Sequence, residues 1–373
     1  MKKLAALLLA IVMVFALCAC GSAPAAAPAA APAAAPAAAP AAAPAAAPAA
    51  AEAKPFDGQT WIMKAAVLQS DNGQESAELS WLKSFKAEIE EKSGGAVTVD
   101  IYPGGQLGSD AESVQGLAGN TLEVAFFNYS TLNNVYTPTM LMSCPGVFAS
   151  EEECDAILNG EWGAKFHAEL EAATGIKILS TFSNGFRCFT ANEKHPLTTV
   201  ESAKGVTFRT MTSPVSQVMV SALGANPVPM ASNEMYTAMQ NGTVDGQENP
   251  VVNILNDKTY EVQKYLVMDK HIASIAAIGM SSEFYNSLPA ELQTIVTEAA
   301  VNATPIAQEI VARINTDGIQ TLRDLGMEVY EPTEEELDAW HAAISGPCMD
   351  YVRGEVGDDV VNSVQAATAA YRK

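Results

Sequence analysis

The stretch Gly205–Asn253 reads GVTFRTMTSPVSQVMVSALGANPVPMASNEMYTAMQNGTVDGQENPVVN and carries the densest local signals of the chain. Val206–Phe208 predicts a short strand. Ser213 is a favourable N-cap and Pro214 suits the first turn of a helix, so a helix is predicted to begin there. Gly224 suits the end of that helix, because glycine adopts the left-handed conformation of a C-terminal cap without strain.

The second half of this stretch continues the alternation. Asn226–Pro229 predicts an extended connector, because each proline disfavours the helical conformation of the residue before it. Ser232 or Asn233 is predicted to cap a second helix that Asn241–Gly242 ends. Thr243–Asp245 then predicts a second strand. The stretch therefore predicts strand, helix, connector, helix and strand.

Two side chains follow the predicted strand ends, namely Arg209 and Asn249. Ligands of open α/β sheets bind at the carboxyl ends of the strands. Arginine presents a planar fork that matches a carboxylate bidentately. We therefore expect an anion site near these two residues.

At these residues the chain resembles a known family. The segments FRTMTSPVSQ, ALGANPVPM and EMYTAMQNGTVDGQENP resemble the solute-binding proteins of TRAP (tripartite ATP-independent periplasmic) transporters, and so does DIYPGGQLGSD at residues 100–110. The resemblance covers essentially the whole chain after residue 54. It implies that Arg209 clamps a ligand carboxylate, that Asn249 assists, and that Arg187 in NGFRCFT is a second site arginine.

The fold that the resemblance implies is α/β and two-lobed, like periplasmic binding proteins, with a ligand cleft between the lobes and a long kinked helix spanning both. The expected lobes are 55–184 with 275–315 and 185–274 with 316–373. Alternating strand and helix patterns before the stretch predict βαβ crossovers and a largely parallel sheet. Leu288–Ile314 predicts the long helix, kinked at Pro305, with a further break predicted at Asp317–Gly318.

The N-terminus predicts export. Lys2 and Lys3 precede an apolar run, Leu4–Leu17, which is short for a membrane span and typical of a signal peptide. Leu17–Cys20 resembles a bacterial lipobox, so residues 1–19 are expected to leave and Cys20 to be lipidated. Ordinary signal cleavage nearby is the alternative.

Residues 20–54 consist of Cys20 followed by an alanine- and proline-rich segment, which has a proline at every fourth position from Pro24 to Pro48. Proline at that spacing prevents a helix, and the segment has no side chains that could build a core. It is predicted to be an extended, semi-rigid tether.

Outside the cytoplasm, Cys144 and Cys154 could form a disulfide, with free buried thiols as the alternative.

The net charge is −22, and removing Lys2 and Lys3 with the signal peptide makes it −24. Such a surface excludes nucleic acid as a partner and repels small anions at long range. An anion site must therefore be built locally from well-placed cations. Before residue 300 the arginines are Arg187 and Arg209, which increases the interest of both.

Weaker ligand-binding candidates lie in loops or at strand ends expected to face the cleft, and they are Gln69, Asn128, Thr212, Ser232 and His271. A lone histidine is more often structural. The histidines lack metal-like spacing, the chain lacks nucleophile-elbow, metalloprotease and Walker motifs, and no metal or cofactor is expected.

The resulting hypothesis is a monomeric, lipid-anchored binding protein on the outer face of the cell membrane or in the periplasm. It would capture a small organic acid and deliver it to TRAP permease subunits in the membrane. The alternatives are a secreted enzyme or a sensor ectodomain on the same scaffold, because fold does not determine function. An ABC-type receptor shares the architecture but not the DGQENP segment.

Overall fold

The structure is a computed structural model that describes residues 55–373, so the predicted signal peptide, Cys20 and tether lie outside the described residues. Within residues 55–373 the strands are β1 (Trp61–Ala66), β2 (Val97–Tyr102), β3 (Val124–Asn128), β4 (Ile176–Ala191), β5 (Thr207–Thr210), β6 (Asn226–Pro229), β7 (Gly246–Asn249), β8 (Tyr265–Val267), β9 (Ile272–Ser281) and β10 (Glu328–Tyr330).

The helices of the same residues are α1 (Ala77–Lys92), α2 (Asp110–Ala118), α3 (Glu151–Leu158), α4 (Glu161–Thr174), α5 (Pro214–Ala222), α6 (Ser232–Gln240), α7 (Val251–Asn256), α8 (Ser282–Ser287), α9 (Ala290–Asp324), α10 (Glu334–Val356) and α11 (Asp358–Tyr371). Two of them begin at capping residues that can be recognised in the sequence. Ser109 with Glu112 forms a capping box at the start of α2, and Thr333 with Glu336 forms one at the start of α10.

The long strand β4 belongs to two sheets. From Ile176 to Arg187 it pairs with β9, and from Cys188 to Ala191 it pairs with β7. The first sheet has the order β2-β1-β3-β9-β4, and the second has the order β4-β7-β5-β6 with β8 and β10 beside it. The fold is therefore α/β with two sheets connected through one strand.

The prediction of a largely parallel sheet is wrong at the centre. The outer strands are parallel, as β1 is to β2 and β3, and β5 is to β6 and β7. The central strand β9 runs antiparallel to both β3 and β4, and β4 runs antiparallel to β7. Segments that connect two sheets need not follow the βαβ rule, which applies to crossovers within one sheet.

Inside Gly205–Asn253 the predicted order of elements is confirmed, but several details differ. The first strand is Thr207–Thr210 rather than Val206–Phe208, and the N-cap of α6 is Ala231 rather than Ser232 or Asn233. The predicted connector Asn226–Pro229 forms the edge strand β6, in parallel pairing with β5. Proline is tolerated at such an edge because the missing N–H is not needed for a further strand. The last strand is Gly246–Asn249 rather than Thr243–Asp245, although Gly, Gln, Glu and Asn have low strand propensity.

Helix α9 extends unbroken from Ala290 to Asp324 with Pro305 inside it, so the predicted break at Asp317–Gly318 is wrong. Gly318 is buried where α7 packs against α9. A Cβ at this position would lie 2.6 Å from Val251 Cγ1 and 2.8 Å from Leu255 Cδ1. The glycine therefore permits a close helix contact and does not end the helix.

Two large apolar cores support the sheets. One lies between β1, α1 and α9 and includes the stacked pair Trp81 and Phe85, whose ring centroids are 4.8 Å apart. The other is built mainly from helices α2 to α5 and α10, with Trp340 fully buried against Phe189 of β4.

Cys144 and Cys154 are buried free thiols. No helix of residues 55–373 is both long and apolar enough for a membrane span.

We expect Gly246→Ala to destabilise the protein by at least about 2 kcal/mol, because overpacking of a filled core costs free energy. A Cβ there would overlap the backbone carbonyl oxygen of Thr190 and would lie 2.7 Å from the Phe208 ring, so the surrounding atoms would have to shift. Denaturant unfolding measures the effect. The control is Gly346→Ala in α10, where a Cβ meets no atom within 4 Å. Equal stability of the two variants would contradict this account of β7.

Candidate functional site

A cavity of about 180 Å³ is lined by residues from both sheets. This volume holds on the order of ten water molecules, which suits a small organic molecule. Seven of the eight side chains predicted from the sequence as ligand contacts line it: Gln69, Asn128, Arg187, Arg209, Thr212, Ser232 and Asn249. Arg209 lies inside β5 rather than after it, and Asn249 is the last residue of β7.

Arg209 is the most unusual of these residues, because it is 3% exposed and has no ion pair with any described residue. Its Nε and Nη2 donate to the backbone carbonyl of Met230, at 3.2 and 2.9 Å. Its Nη1 has no hydrogen-bond partner among residues 55–373. Burial, with a contribution from the positive charge of Arg187, lowers the pKa of Arg209 to about 10. The side chain is therefore charged at neutral pH and lacks a counterion.

Arg187 is buried as well, but it is neutralised. Its Nε pairs with Oε2 of Glu248, and its Nη2 donates to Glu248 Oε1 at 3.0 Å and to the Glu248 carbonyl at 2.5 Å. Its Nη1 donates to Ser274 Oγ at 3.3 Å. The sheet pairs Phe189 with Glu248, so Arg187, two residues earlier in β4, lies diagonally across from Glu248 on the same face.

His271 lies behind this pair and does not line the cavity, unlike the prediction of a pocket-edge contact. Its Nε2 lies 3.3 Å from Glu248 Oε2, and its Nδ1 lies 2.7 Å from Asp269 Oδ2. Asp269 also accepts the backbone N–H of Phe189. We refer to Arg187, Glu248, His271 and Asp269 as the buried ion-pair chain.

The pKa values within the buried ion-pair chain depend on these contacts. Burial alone would lower the pKa of His271, but the carboxylates of Asp269 and Glu248 outweigh burial and raise it to about 9. Burial alone would raise the pKa of Glu248, but Arg187 and His271 outweigh it and lower the pKa to about 2. His271 is therefore protonated on both nitrogens at neutral pH, and the chain holds Arg187 in a fixed orientation.

The neutral polar side chains of the cavity lining differ in whether they already form hydrogen bonds with other protein groups. Asn249 Nδ2 donates to Gln247 Oε1 at 2.6 Å. Asn128 donates to Ser274 and accepts from Ser130. The side chains of Gln69, Thr212 and Ser232 have no hydrogen-bond partner among residues 55–373 and are free to bind a ligand.

Three acidic side chains of the lining were not predicted: Glu78, Asp110 and Asp257. Glu78 accepts from Ser76 Oγ at 2.7 Å, and Asp110 accepts from the backbone N–H of Asn128 at 3.2 Å. Burial raises the pKa of Asp110 to about 6 and that of Asp257 to about 7, and Glu78 contributes to both shifts. Carboxylates are so frequent in this chain that the sequence offers no signal to single these out.

The arrangement of two sheets joined by a long strand, with a polar cavity between them, defines a two-lobed solute-binding protein. Known proteins agree with this class. The family model described as bacterial extracellular solute-binding protein, family 7, matches residues 70–351.

A curated relative is the C4-dicarboxylate-binding periplasmic protein DctP of Rhodobacter capsulatus, 32% identical over 287 residues, which are 76% of this chain and 85% of that protein. A crystal structure of a TRAP periplasmic solute-binding protein from Ochrobactrum anthropi is 33% identical with a TM-score of 0.73, covering 84% of this chain and 97% of that one. A TRAP solute-binding protein from Polaromonas sp. JS666, bound to D-erythronate, is 27% identical with a TM-score of 0.76, covering 83% and 99%.

The chain thus belongs to family 7 of the bacterial extracellular solute-binding proteins, the solute-binding family of TRAP transporters. The family consists of transport proteins that act outside the cytoplasm. The resemblance predicted from the sequence is confirmed, as are the fold class and the functional class.

We expect the free energy of unfolding to fall between pH 7 and pH 9 as His271 loses its proton. Its folded pKa of about 9 is raised above the ordinary value of 6.5, so the stabilisation is complete below pH 6.5 and is lost as the pH rises through 9. The loss amounts to at most about 3 kcal/mol. Denaturant unfolding across this range measures it.

The comparison variant is His271→Gln, which cannot titrate. Its unfolding free energy should be lower at pH 7 and should fall less steeply between pH 7 and pH 9 than that of the unchanged protein, because Asp257 and the buried thiols still titrate. An unchanged slope in this variant would show that another group causes the pH dependence.

Proposed function

We propose that the cavity binds the carboxylate of a small organic acid through Arg209 and that the bound acid is then delivered to a TRAP permease. The observation that carries the proposal is the buried guanidinium of Arg209, which has no carboxylate partner among the described residues. A buried charge without a partner is costly, and a ligand anion supplies the partner.

The neighbouring side chains support the same ligand chemistry. Asn249 lines the same cavity and is proposed to donate to the ligand beside Arg209. The Nη1 of Arg187, whose other nitrogens are held by Glu248, is the donor through which Arg187 can contribute. Gln69, Thr212 and Ser232 then serve as hydrogen-bonding groups around the rest of the acid.

The relatives support the same class of ligand. The Rhodobacter capsulatus protein is named for C4-dicarboxylates, and the Polaromonas protein holds D-erythronate. C4-dicarboxylates and D-erythronate are both small organic acids with a carboxylate that an arginine can bind. The family further implies a membrane permease as partner, to which the acid passes without ATP hydrolysis.

Binding is proposed to close the two lobes, 55–184 with 275–315 and 185–274 with 316–373, around the ligand. Closure expels water from the cavity, and charge-assisted hydrogen bonds strengthen as the local dielectric constant falls. We also propose that the protein acts as a monomer, since a ligand site between lobes of one chain needs no second copy.

We expect Arg209→Ala to lose about 2–5 kcal/mol of ligand binding free energy, the range for removing one partner of a buried charge pair. The ligand is first identified by mass spectrometry of small molecules released from the purified protein, and its affinity is then measured by calorimetry. Arg323→Ala is the control, because Arg323 pairs with Glu331 on the surface. Unchanged affinity in Arg209→Ala would refute the assignment.

We further propose that Cys20 is lipidated and anchors the chain to the outer face of the cell membrane. The lipobox-like Leu17–Cys20 and the preceding signal-peptide pattern support this. The alanine- and proline-rich tether of residues 20–54 would then hold the binding domain away from the membrane.

Cys20→Ser is expected to abolish incorporation of a labelled fatty acid and to release the protein from the membrane fraction. Cys18→Ser is the matched control, because Cys18 leaves with the signal peptide. Labelling that persists in Cys20→Ser would exclude Cys20 as the modified residue.

A further inference from the structure

The charged side chains of the cavity are unevenly balanced. Its lining contains two cations, Arg187 and Arg209, and three acidic residues, Glu78, Asp110 and Asp257. Because Glu248 neutralises Arg187 through a bidentate pair, Arg209 is the one uncompensated cation of this lining. An anion site would be expected to carry an excess of positive charge, and this one does not.

The three acidic residues come from separate elements. Glu78 is the second residue of α1, Asp110 is the first residue of α2, and Asp257 follows α7. Asp110 and Asp257 influence the pKa of Arg209, so both lie within electrostatic reach of it, but neither forms an ion pair with it. They are therefore negative charges of the lining that no described cation holds in an ion pair.

Arg209 determines which group of a ligand can be bound by a cation in this cavity. Its guanidinium is buried and its Nη1 is unpartnered among the described residues, so it binds the end that carries a carboxylate. A second carboxylate on the same ligand would find no further unpaired cation in this lining and would share the cavity with Asp110, Asp257 and Glu78. Like charges at short distance in a water-poor cavity repel strongly.

A hydroxyl group meets the opposite situation. It donates to an ionised carboxylate, and it can also accept from a protonated one, so it fits these residues in either state. The free side chains of Gln69, Thr212 and Ser232 offer further neutral donors and acceptors in the same cavity. The cavity lining is therefore suited to a ligand that carries several hydroxyl groups besides its carboxylate.

We propose that this cavity selects acids with a single carboxylate, held by Arg209, and hydroxyl groups at the other end, and that it rejects dicarboxylates of the same length. Asp110 and Asp257 are the residues that determine this specificity, with Glu78 increasing the negative charge beside them. The inference rests on the proposed function, since it assumes that Arg209 binds a carboxylate.

Matched acids test the proposal directly. D-erythronate and meso-tartrate, D-gluconate and D-glucarate, and D-galactonate and galactarate each differ only by a terminal CH2OH or COO⁻. Their affinities are measured by calorimetry at pH 8 on the ligand-free full chain. In each pair that binds, the hydroxyl-terminated acid is expected to bind at least tenfold more tightly.

Equal or tighter binding of the dicarboxylate in any of these pairs overturns the inference. So does a failure of all six acids to bind at 10 mM. In either case the proposed function is judged separately. It stands if some carboxylate from a wider panel binds and Arg209→Ala abolishes that binding, and it fails if no carboxylate binds.

Variants then test whether the acidic residues cause the selectivity. Asp110→Asn and Asp257→Asn remove one negative charge each, and the amide oxygen that Asp110→Asn introduces can still accept the backbone N–H of Asn128. We expect each variant to reduce the preference for the hydroxyl-terminated acid at least fivefold, mainly by improving dicarboxylate binding.

Asp100→Asn is the control, because it removes the same charge from an exposed position of β2 outside the cavity lining. Its preference should match that of the unchanged protein. Circular dichroism checks that each variant is folded. An unaltered preference in both folded cavity variants would show that Asp110 and Asp257 do not determine specificity.

Discussion

The candidate site depends on the charged side chain of Arg209. It is buried, and its hydrogen-bond acceptor among the described residues is a single backbone carbonyl. Met230 supplies that carbonyl and directly follows β6, whose parallel pairing with β5 places it beside the guanidinium. The edge strand with its two prolines therefore has a purpose beyond sheet formation. It orients a buried cation that has no ion pair among the described residues, which is the physical basis of the proposed carboxylate site.

The two site arginines show how neighbours determine the role of a residue. Arg187 and Arg209 are both buried and both line the cavity. Arg187, however, is satisfied by Glu248, which His271 and Asp269 support from behind. One arginine is thus a fixed part of the cavity wall, and the other is the proposed binding group. Together with the acidic lining, this leaves positive charge at one point of the cavity only.

Much of the site could be predicted from the sequence, because the cavity forms where strand ends from the two sheets meet. Arg209 and Asn249 were identifiable as polar residues at or near strand ends in a family-like segment, and Asn128 as a polar residue expected to face the cleft. His271 could not be placed, because its contacts with Asp269 and Glu248 depend on the pairing of β4 with β7 and β9. Asp110 resembled an ordinary helix-start residue, since its sequence neighbours form a capping box.

By itself the sequence determined the features that short-range chemistry controls, which are the capped starts of α2 and α10 and the start of α5 at a proline. Its motifs also indicated the family to which the chain belongs. Only the tertiary structure decided that GQEN forms a buried strand, that β4 and β9 run antiparallel at the centre, and which arginine remains without a counterion. Caps and turns depend on a few adjacent residues. Strand pairing and charge neutralisation instead depend on residues far apart in the chain, whose burial overrides their local preferences.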